Sequence, residues 1–164
     1  INRTDLARNS IIDGNVDTNK FLYFISMAQT IHIQQFLGTE LYEEFEGMIT
    51  AGTLTELLNP NHYTLMIDYI QPMLIWYAQV DYIPFASYSI KNSGVTKHRS
   101  ENSDPATKEE LDYLVAKARE FAEWYSRRFV DYMNFNQATF PKYYSNSDDD
   151  IYPSQDATFN GWVL

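Results

Sequence analysis

Several residue types and motifs are missing from this chain, and each absence narrows the chemistry it can perform. Cysteine does not occur among the 164 residues, which excludes disulfide bonds and zinc sites built on thiolates. No apolar run reaches about 18 residues, so a membrane-spanning helix is not expected. Glycine-rich phosphate-binding patterns and the GxSxG pattern of serine hydrolases are also missing. The sequence therefore contains no recognisable catalytic motif.

Basic residues are unevenly distributed along the chain. Residues 21–90 contain no lysine or arginine but seven aspartate and glutamate residues, in a chain whose formal net charge is −10. Contacts with phosphates need clustered basic side chains, so this distribution argues against a general nucleic-acid-binding protein. Aromatic residues, by contrast, make up 16% of the chain and include thirteen tyrosines. Because tyrosine is enriched at protein interfaces, this composition indicates contacts with other proteins.

The histidine and acidic residues do not form a pattern typical of a metal or catalytic site. His32, His62 and His98 lie in separate segments, without the Glu-x-x-His spacing of metal sites in helical bundles. The glutamates within residues 40–46 fit a solvated helix face. The aspartate run at 148–150 is not followed by the glycine and glutamate that an EF-hand loop requires. We expect no catalytic residue, no metal site and no cofactor.

The longest periodic segment covers residues 107–135. Its apolar residues recur at intervals of three and four, which predicts one amphipathic helix roughly 40 Å long. Thr107 and Glu110 match a capping box, in which each side chain satisfies a backbone N–H of the first turn. The positions expected to face a core are Leu111, Leu114, Val115, Ala118, Phe121, Ala122, Tyr125, Phe129, Tyr132 and Met133.

Three further helical regions precede this segment. Periodicity predicts a first helix over about 18–37 and a second over about 39–51, separated by Gly38. A third region covers about 63–88 and contains Pro72, where we expect a kink or the junction of two helices. The predicted fold class is therefore all-α, a small bundle of about four to five helices. The inward-facing positions expected in the first helix are Phe21, Phe24, Ile25, Ala28 and Ile31.

A polar stretch without apolar periodicity, residues 89–105, leads to the long helix. It fits a long interhelical loop, and residues 90–96 fit a short β-hairpin equally well. Its basic residues are candidates for contacts with phosphates or with an acidic partner protein, and a plain solvated loop is the simpler interpretation. The candidate partner-binding residues of this loop are Lys91, Val95, Lys97 and Arg99.

Residues 136–164 have no helical periodicity. We interpret them as an extended C-terminal arm that follows a helical domain over residues 1–135. Large apolar residues are scattered along this polar arm, so we expect the arm to be ordered by docking. Its anchors either fold back on their own domain or contact a neighbouring subunit, and we favour the neighbour. They are Tyr143, Tyr144, Ile151, Tyr152, Phe159, Trp162 and Leu164.

Short patterns recognisable from a known protein family occur along most of the chain. They are GNVD at 14–17, LGTELY at 37–42, YIQP at 69–72, PF at 84–85, GV at 94–95, NS at 102–103, AEWY and RR within 122–128, FPKY at 140–143 and GW at 161–162. Together with the acidic, helical composition they resemble the head-to-tail connector proteins of tailed bacteriophages, also called adaptor or ring proteins. The chain is most similar to those of crAss-like and other Bacteroidetes-infecting phages.

The resemblance implies a structural virion protein without enzymatic activity, made in the host cytoplasm and located at the portal–tail junction. Many copies, usually twelve, would form a ring that extends the DNA exit channel. The portal protein and a further tail or ring protein would be its partners. DNA would pass through without specific binding, which agrees with the acidic composition. Carried to this sequence, residues 90–103 and 140–164 are the expected contact surfaces.

Two other functions remain open at this point. A non-viral helical protein–protein interaction module would bind its partner with a low, fixed stoichiometry and would not require a long ordered arm. An enzyme that uses scattered carboxylates, such as Glu43, Glu46 and Asp68, would present a deep pocket and bind a divalent metal.

Overall fold

The computed structural model describes residues 18–86, 88–91, 94–97, 106–145 and 150–157; at 18–20 and in the two strands it describes the backbone alone. The α-helices of these ranges are α1 (Thr18–Ala28), α2 (Gln34–Thr50), α3 (Pro60–Leu65), α4 (Gln71–Ala86), α5 (Lys108–Phe135) and α6 (Pro141–Ser145). A first π-helical segment, Gln29–Ile33, joins α1 to α2, and a second, Met66–Ile70, joins α3 to α4. Strands β1 (Tyr88–Lys91) and β2 (Gly94–Lys97) form an antiparallel hairpin. The predicted small all-α bundle is confirmed, and the two paired strands match the hairpin alternative predicted within residues 90–96.

Helix α4 occupies the centre of the bundle, between α5 on one side and α1 on the other. It is apolar around most of its circumference, as expected of a helix covered by neighbours. Met73, Ile75 and Tyr77 are almost completely buried in it. The main core lies around this helix, and a smaller cluster of Val80, Ile83 and Ala118 lies towards its C-terminal end.

The first π-helical segment changes which residues of the first predicted helix face the core. A π-turn contains one more residue than an α-turn, so every later position is displaced around the helix axis. Ile31 was expected to face inward, and this expectation is wrong because the side chain is 45% exposed. His32 and Ile33 are buried instead. Periodicity at 3.6 residues per turn is not able to anticipate this displacement.

Gly38 separates the two predicted helices, although hydrogen bonding continues across it. Its φ of 72° lies in the left-handed region, which glycine adopts without the steric cost of a side chain. Beyond this kink, Leu41 and Phe45 point into the core. The predicted boundary between two helices at Gly38 is thus confirmed as a sharp change of direction inside α2.

At Pro72, where a kink or the junction of two helices was expected, the structure has a junction: the second π-helical segment ends at Ile70 and α4 begins at Gln71. Proline has no N–H, so Pro72 is unable to donate the α-helical hydrogen bond to the carbonyl of Asp68. Arg128 of α5 donates to this carbonyl through Nη1 at 3.2 Å. A side chain of the long helix therefore compensates a backbone group that the proline leaves unsatisfied.

Helix α5 begins where the sequence predicts, with Thr107 as its N-cap. Thr107 Oγ1 accepts a hydrogen bond from the Glu110 N–H at 3.3 Å, and Glu110 Oε2 accepts one from the Thr107 N–H at 2.8 Å. The capping box is thus confirmed. Among the predicted core positions, Leu114 and Phe121 are exposed instead, because they lie at the edge of the face that α4 covers. The buried residues of this helix are Ala118, Ala122, Ser126, Phe129, Val130 and Met133.

Much of the segment expected to be an extended arm packs on its own domain. Phe140 and Tyr143 are buried in the main core, and their rings contact Tyr132 and Phe129 of α5 respectively. Further along, the N–H of Thr39 donates to the Ile151 carbonyl at 3.0 Å, and the N–H of Ser154 donates to the Gln35 carbonyl at 2.8 Å. The described residues of this segment therefore follow the first of the two alternatives, folding back on their own chain.

Candidate interaction surfaces

The predicted loop residues lie on the hairpin as far as the structure describes them. The register pairs Lys91 with Gly94, Val95 with Ile90, and Lys97 with Tyr88. Lys97 and Lys91 therefore lie in the first and the last pair of this register, at opposite ends of the ladder. Arg99 lies outside the described residues, so the proposed basic cluster stays a prediction.

The predicted anchors of the C-terminal arm divide into three groups. Tyr143 is only 1% exposed, so the expectation that its side chain contacts a neighbour is wrong: it belongs to the core of its own subunit. Tyr144 and Ile151 are half-buried, whereas Tyr152 is 63% exposed and available for contacts. The remaining predicted anchors, Phe159, Trp162 and Leu164, lie outside the described residues.

Docking of this segment depends on Thr39, the residue that directly follows the Gly38 kink. Its hydroxyl donates to Asp150 Oδ2 and accepts from the N–H of Ile151, both at 3.1 Å. Asp150 belongs to the aspartate run at 148–150, which does not match an EF-hand loop. One threonine after a glycine kink thus binds the returning chain through its backbone N–H and its hydroxyl.

Tyr143 and Tyr144 carry the least satisfied buried hydroxyls of this region. Neither hydroxyl has a hydrogen-bond partner within the part of the chain that the structure describes. Burial raises the pKa of Tyr143 strongly, because the phenolate would lose its hydration, and the nearby Tyr144 and Tyr152 add to this effect. Burial also raises the pKa of Tyr144.

A surface that the sequence did not predict lies where α5 crosses the second π-helical segment and α4. We call it the aromatic–arginine surface; it consists of Tyr69, Trp76, Phe121, Trp124 and Arg128. The rings of Trp76 and Phe121 are 4.6 Å apart, and the Arg128 guanidinium lies 4.5 Å from the centre of the Tyr69 ring and 5.9 Å from that of Trp124. Guanidinium groups over aromatic faces are attracted by the ring quadrupole.

This surface follows from local helix geometry. Phe121, Trp124 and Arg128 are separated by three and four residues, so they lie along one flank of α5. Trp124 is 53% exposed and Phe121 is 47% exposed, although both are large aromatic residues. Trp–x–x–x–Arg spacing on a predicted helix was the available signal. It was missed because the 3–4 pattern assigned Phe121 to the core.

The exposed face of α2 has the opposite character. Glu43 and Glu46 are exposed and one turn apart, and α2 contains no basic residue. Glu44 differs, since it lies 3.6 Å from His62 Nε2 and 3.8 Å from Lys142 Nζ. Gly47 lies beside the exposed glutamates, and a Cβ placed there would meet nothing within 4 Å. The outer face of α2 is thus acidic and sterically open.

A cavity of about 250 Å³ opens next to this acidic face. Its walls come from both π-helical segments, from α2 and from the start of α4. Apolar side chains dominate the lining, and Glu46 lies on it together with the hydrogen-bonded pair Gln29–Tyr42, whose Nε2–Oη distance is 3.0 Å. Apolar lining residues are Ile33, Leu37, Phe45, Ile67, Ile70 and Leu74.

Two buried polar pairs join the helices of the bundle without forming a recognisable reactive centre. His32 Nε2 lies 3.1 Å from Asp81 Oδ2, and the His32 ring stacks on Tyr77 with 4.3 Å between ring centres. The Tyr77 and Ser126 hydroxyls are 2.9 Å apart, and the Ser126 hydroxyl also reaches the Ala122 carbonyl at 2.9 Å. Burial raises the pKa of Tyr77. These pairs join the first π-helical segment, α4 and α5.

Metal-binding clusters and membrane-spanning helices are both absent from the residues that the structure describes. No group of three or more histidine, aspartate or glutamate side chains there is placed to hold a metal ion. Among the described helices, none is both long and apolar enough to cross a membrane.

These features define a small, acidic helical bundle with a hairpin, a kinked acidic helix and an exposed aromatic–arginine surface. The chain belongs to a family of unknown function, DUF6712, whose sequence profile matches residues 33–151. The match covers the region from the first π-helical segment to the docked C-terminal segment. No curated protein and no solved structure shows significant similarity to the chain.

Proposed function

We propose that this protein is a structural virion protein that forms an oligomeric ring between the portal and the tail of a bacteriophage and extends the DNA exit channel. Its partners would be further copies of itself, the portal protein and a further tail or ring protein. The observation that carries the assembly part of this proposal is the aromatic–arginine surface. The phage context rests on the sequence patterns described above.

The aromatic–arginine surface has the composition of a protein interface. Tryptophan, tyrosine and arginine are the residues most enriched among those that dominate binding energies. Here they occur together on the outside of a helix that is roughly 42 Å long at 1.5 Å per residue for 28 residues. Clustered exposed aromatic side chains on a chain of this net charge support a role in which the surface is covered by another protein.

The charge distribution supports a channel role. A formal net charge of −10 on each copy would surround the channel with a negative potential once many copies assemble. DNA phosphates would be repelled by such a wall, which favours transit of the genome over retention on the protein. Specific DNA binding is not part of the proposal.

Electron microscopy of the purified protein, and of particles that contain it, tests this function. We expect closed rings, twelve-fold if the resemblance holds, with symmetry determined from the images and not imposed. A protein that binds one partner with a low, fixed stoichiometry and never forms a ring would instead support a helical interaction module.

A truncation that tests whether the C-terminal residues contribute to ring assembly must leave the core intact. Removing residues 140–164 would delete Phe140 and Tyr143 from the core, so loss of assembly would only report unfolding. Removing residues 158–164 leaves the Thr39 and Gln35 contacts intact. We expect this shorter truncation to remain folded but to weaken ring formation. Rings at wild-type concentrations would contradict a role for these last residues in assembly.

A further inference from the structure

We propose that neighbouring copies contact each other head to tail, with Trp124 of one copy entering the cavity between the two π-helical segments of the next. In the same contact, Arg127 would pair with Glu46 at the cavity. This inference rests on the proposed self-assembly and adds the two surfaces that meet.

Trp124 has the properties of an interface anchor. It is 53% exposed and makes an edge-to-face contact with Tyr125, whose ring centre is 4.8 Å away. Arg127 and Arg128 follow it by three and four residues and therefore lie beside it on α5. Arg128 is already engaged with Tyr69 and Asp68, whereas Arg127 is exposed and forms no ion pair with another described residue. Arg127 is thus the cation that a partner is able to use.

The cavity has the size and chemistry to receive such an anchor. Its volume of about 250 Å³ is below the roughly 300–1,000 Å³ of pockets for drug-sized ligands, and it suits a single large side chain. The lining is mainly apolar, which fits the indole ring. Glu46 at this cavity and the exposed Glu43 one turn before it carry negative charge, which is complementary to the exposed Arg127 guanidinium.

The open acidic face of α2 permits a close approach. Gly47 lies between the exposed glutamates and the end of the helix, where a glycine costs about 1 kcal/mol relative to alanine. Nothing within the described part of its own subunit lies within 4 Å of a Cβ at this position, so packing inside the chain does not explain the glycine. A neighbouring helix that packs over this face does explain it.

The two surfaces lie on different flanks of the central helix, as a head-to-tail contact requires. Tyr69 and Trp76 contact residues of α5 on one flank. Ile67, Ile70 and Leu74 line the cavity on the other. A contact between unlike surfaces repeats from copy to copy and produces rings or filaments, whereas a contact between like surfaces stops at a dimer.

Cross-linking of the full chain tests the contact directly, because the protein contains no cysteine of its own. We would combine Arg127→Cys and Glu46→Cys in one chain and treat concentrated protein with a bismaleimide that has a short spacer. A spacer is needed because residues of an ion pair lie further apart than the roughly 3.5–4.5 Å between Cβ atoms of a disulfide.

A head-to-tail contact predicts a ladder of cross-linked oligomers from the double variant and at most dimers from either single variant. No product, or dimers alone from the double variant, would overturn the inference. Rings in the microscope without a ladder would reject this contact and keep the proposed function. A ladder without rings in any preparation would keep the contact and reject the ring.

Charge exchange separates the contact from general loss of stability. Arg127→Glu and Glu46→Arg should each weaken self-association, and the chain carrying both changes should regain it, because the ion pair is then reversed. Trp124→Ala should weaken association by at least about 30-fold, as expected of a dominant interface residue. Tyr113→Ala is the matched control, since Tyr113 is a 62% exposed aromatic residue on the same helix outside the surface. Equal effects at Trp124 and Tyr113, or no recovery in the doubly exchanged chain, would contradict the proposal.

Discussion

The two halves of α5 carry the same amphipathic pattern but differ in how they are held. From Ala118 to Met133, every third or fourth residue is completely or almost completely buried against α4 and the segment around Phe140. From residue 108 to 117, Leu111 and Val115 are only half-buried, and Tyr113 and Leu114 are exposed. The first half contacts the small cluster of Val80, Ile83 and Ala118, and the second half beyond Ala118 contributes to the main core.

This difference shows that an amphipathic pattern predicts a helix but not the depth of its burial. Burial depends on what covers the stripe, and only the second half lies under both α4 and the returning C-terminal segment. Local interactions contribute relatively more to the first half, among them the capping box at Thr107 and the pair of Lys117 and Glu120, whose charged atoms are 2.6 Å apart. Tertiary packing usually contributes more to helix stability than such local terms.

The largest expected effect on stability comes from truncating a buried side chain in the second half of α5. Phe129→Ala removes a ring that is completely buried and packs against Phe36 and Tyr143. We expect the free energy of unfolding to fall by about 3–5 kcal/mol, because both transfer energy and packing are lost. Denaturant titration measures this loss.

Leu114→Ala on the first half is the matched control for that variant. Leu114 is 40% exposed, and its truncation should change stability by no more than about 1 kcal/mol. Similar losses for the two variants would mean that the halves are equally packed and that the comparison is mistaken.

Much of the fold was predictable because helix ends and apolar periods are local signals. The capping box at Thr107, the kink at Gly38 and the pairing of residues 88–91 with 94–97 each follow from a few neighbouring residues. The π-helical segments were not predictable, since no local residue type marks the extra residue in the turn. The burial of Ile33, five residues after the buried Ala28, follows from that displacement.

The interaction surfaces were less accessible to sequence reasoning. The aromatic–arginine surface combines Trp124 and Arg128 of α5 with Tyr69 of the second π-helical segment, and only the tertiary structure brings these segments together. Composition suggested that tyrosines would serve an interface. It does not distinguish the buried Tyr143 from the exposed Tyr152, because both lie in the same polar stretch.

An intermediate effect is expected where the second half of α5 meets Tyr143. Its hydroxyl is buried without a hydrogen bond to any described residue, a situation that costs about 1–3 kcal/mol. Tyr143→Phe should therefore stabilise the protein, by about 1 kcal/mol, although it removes an oxygen from the core. Tyr152→Phe, at an exposed site, should leave stability within about 0.5 kcal/mol. A loss of stability in Tyr143→Phe would reveal a partner for the hydroxyl.

The same tyrosine gives a pH dependence with a defined sign. Burial raises the pKa of Tyr143, so the folded protein retains the phenolic proton at pH values where the unfolded chain releases it. Above about pH 10, the unfolded state binds fewer protons, and the free energy of unfolding falls as pH rises. Tyr143→Phe should make this alkaline decline shallower when denaturant midpoints are compared at pH 8 to 11. An unchanged slope would exclude Tyr143 as a contributor.

The smallest effect on stability is expected from loss of the capping box at the start of the first half of α5. Thr107→Ala removes the hydroxyl that accepts from the Glu110 N–H and should lower stability by about 1 kcal/mol. Because the first half makes few buried contacts, the change should appear as faster hydrogen exchange of amides in residues 108–117, with those of residues 118–133 unaffected. Thr64→Ala, at an exposed threonine inside α3, controls for loss of a threonine side chain. Faster exchange along the whole helix would show that its two halves unfold as one unit, and the distinction between a locally capped half and a packed half would then fail.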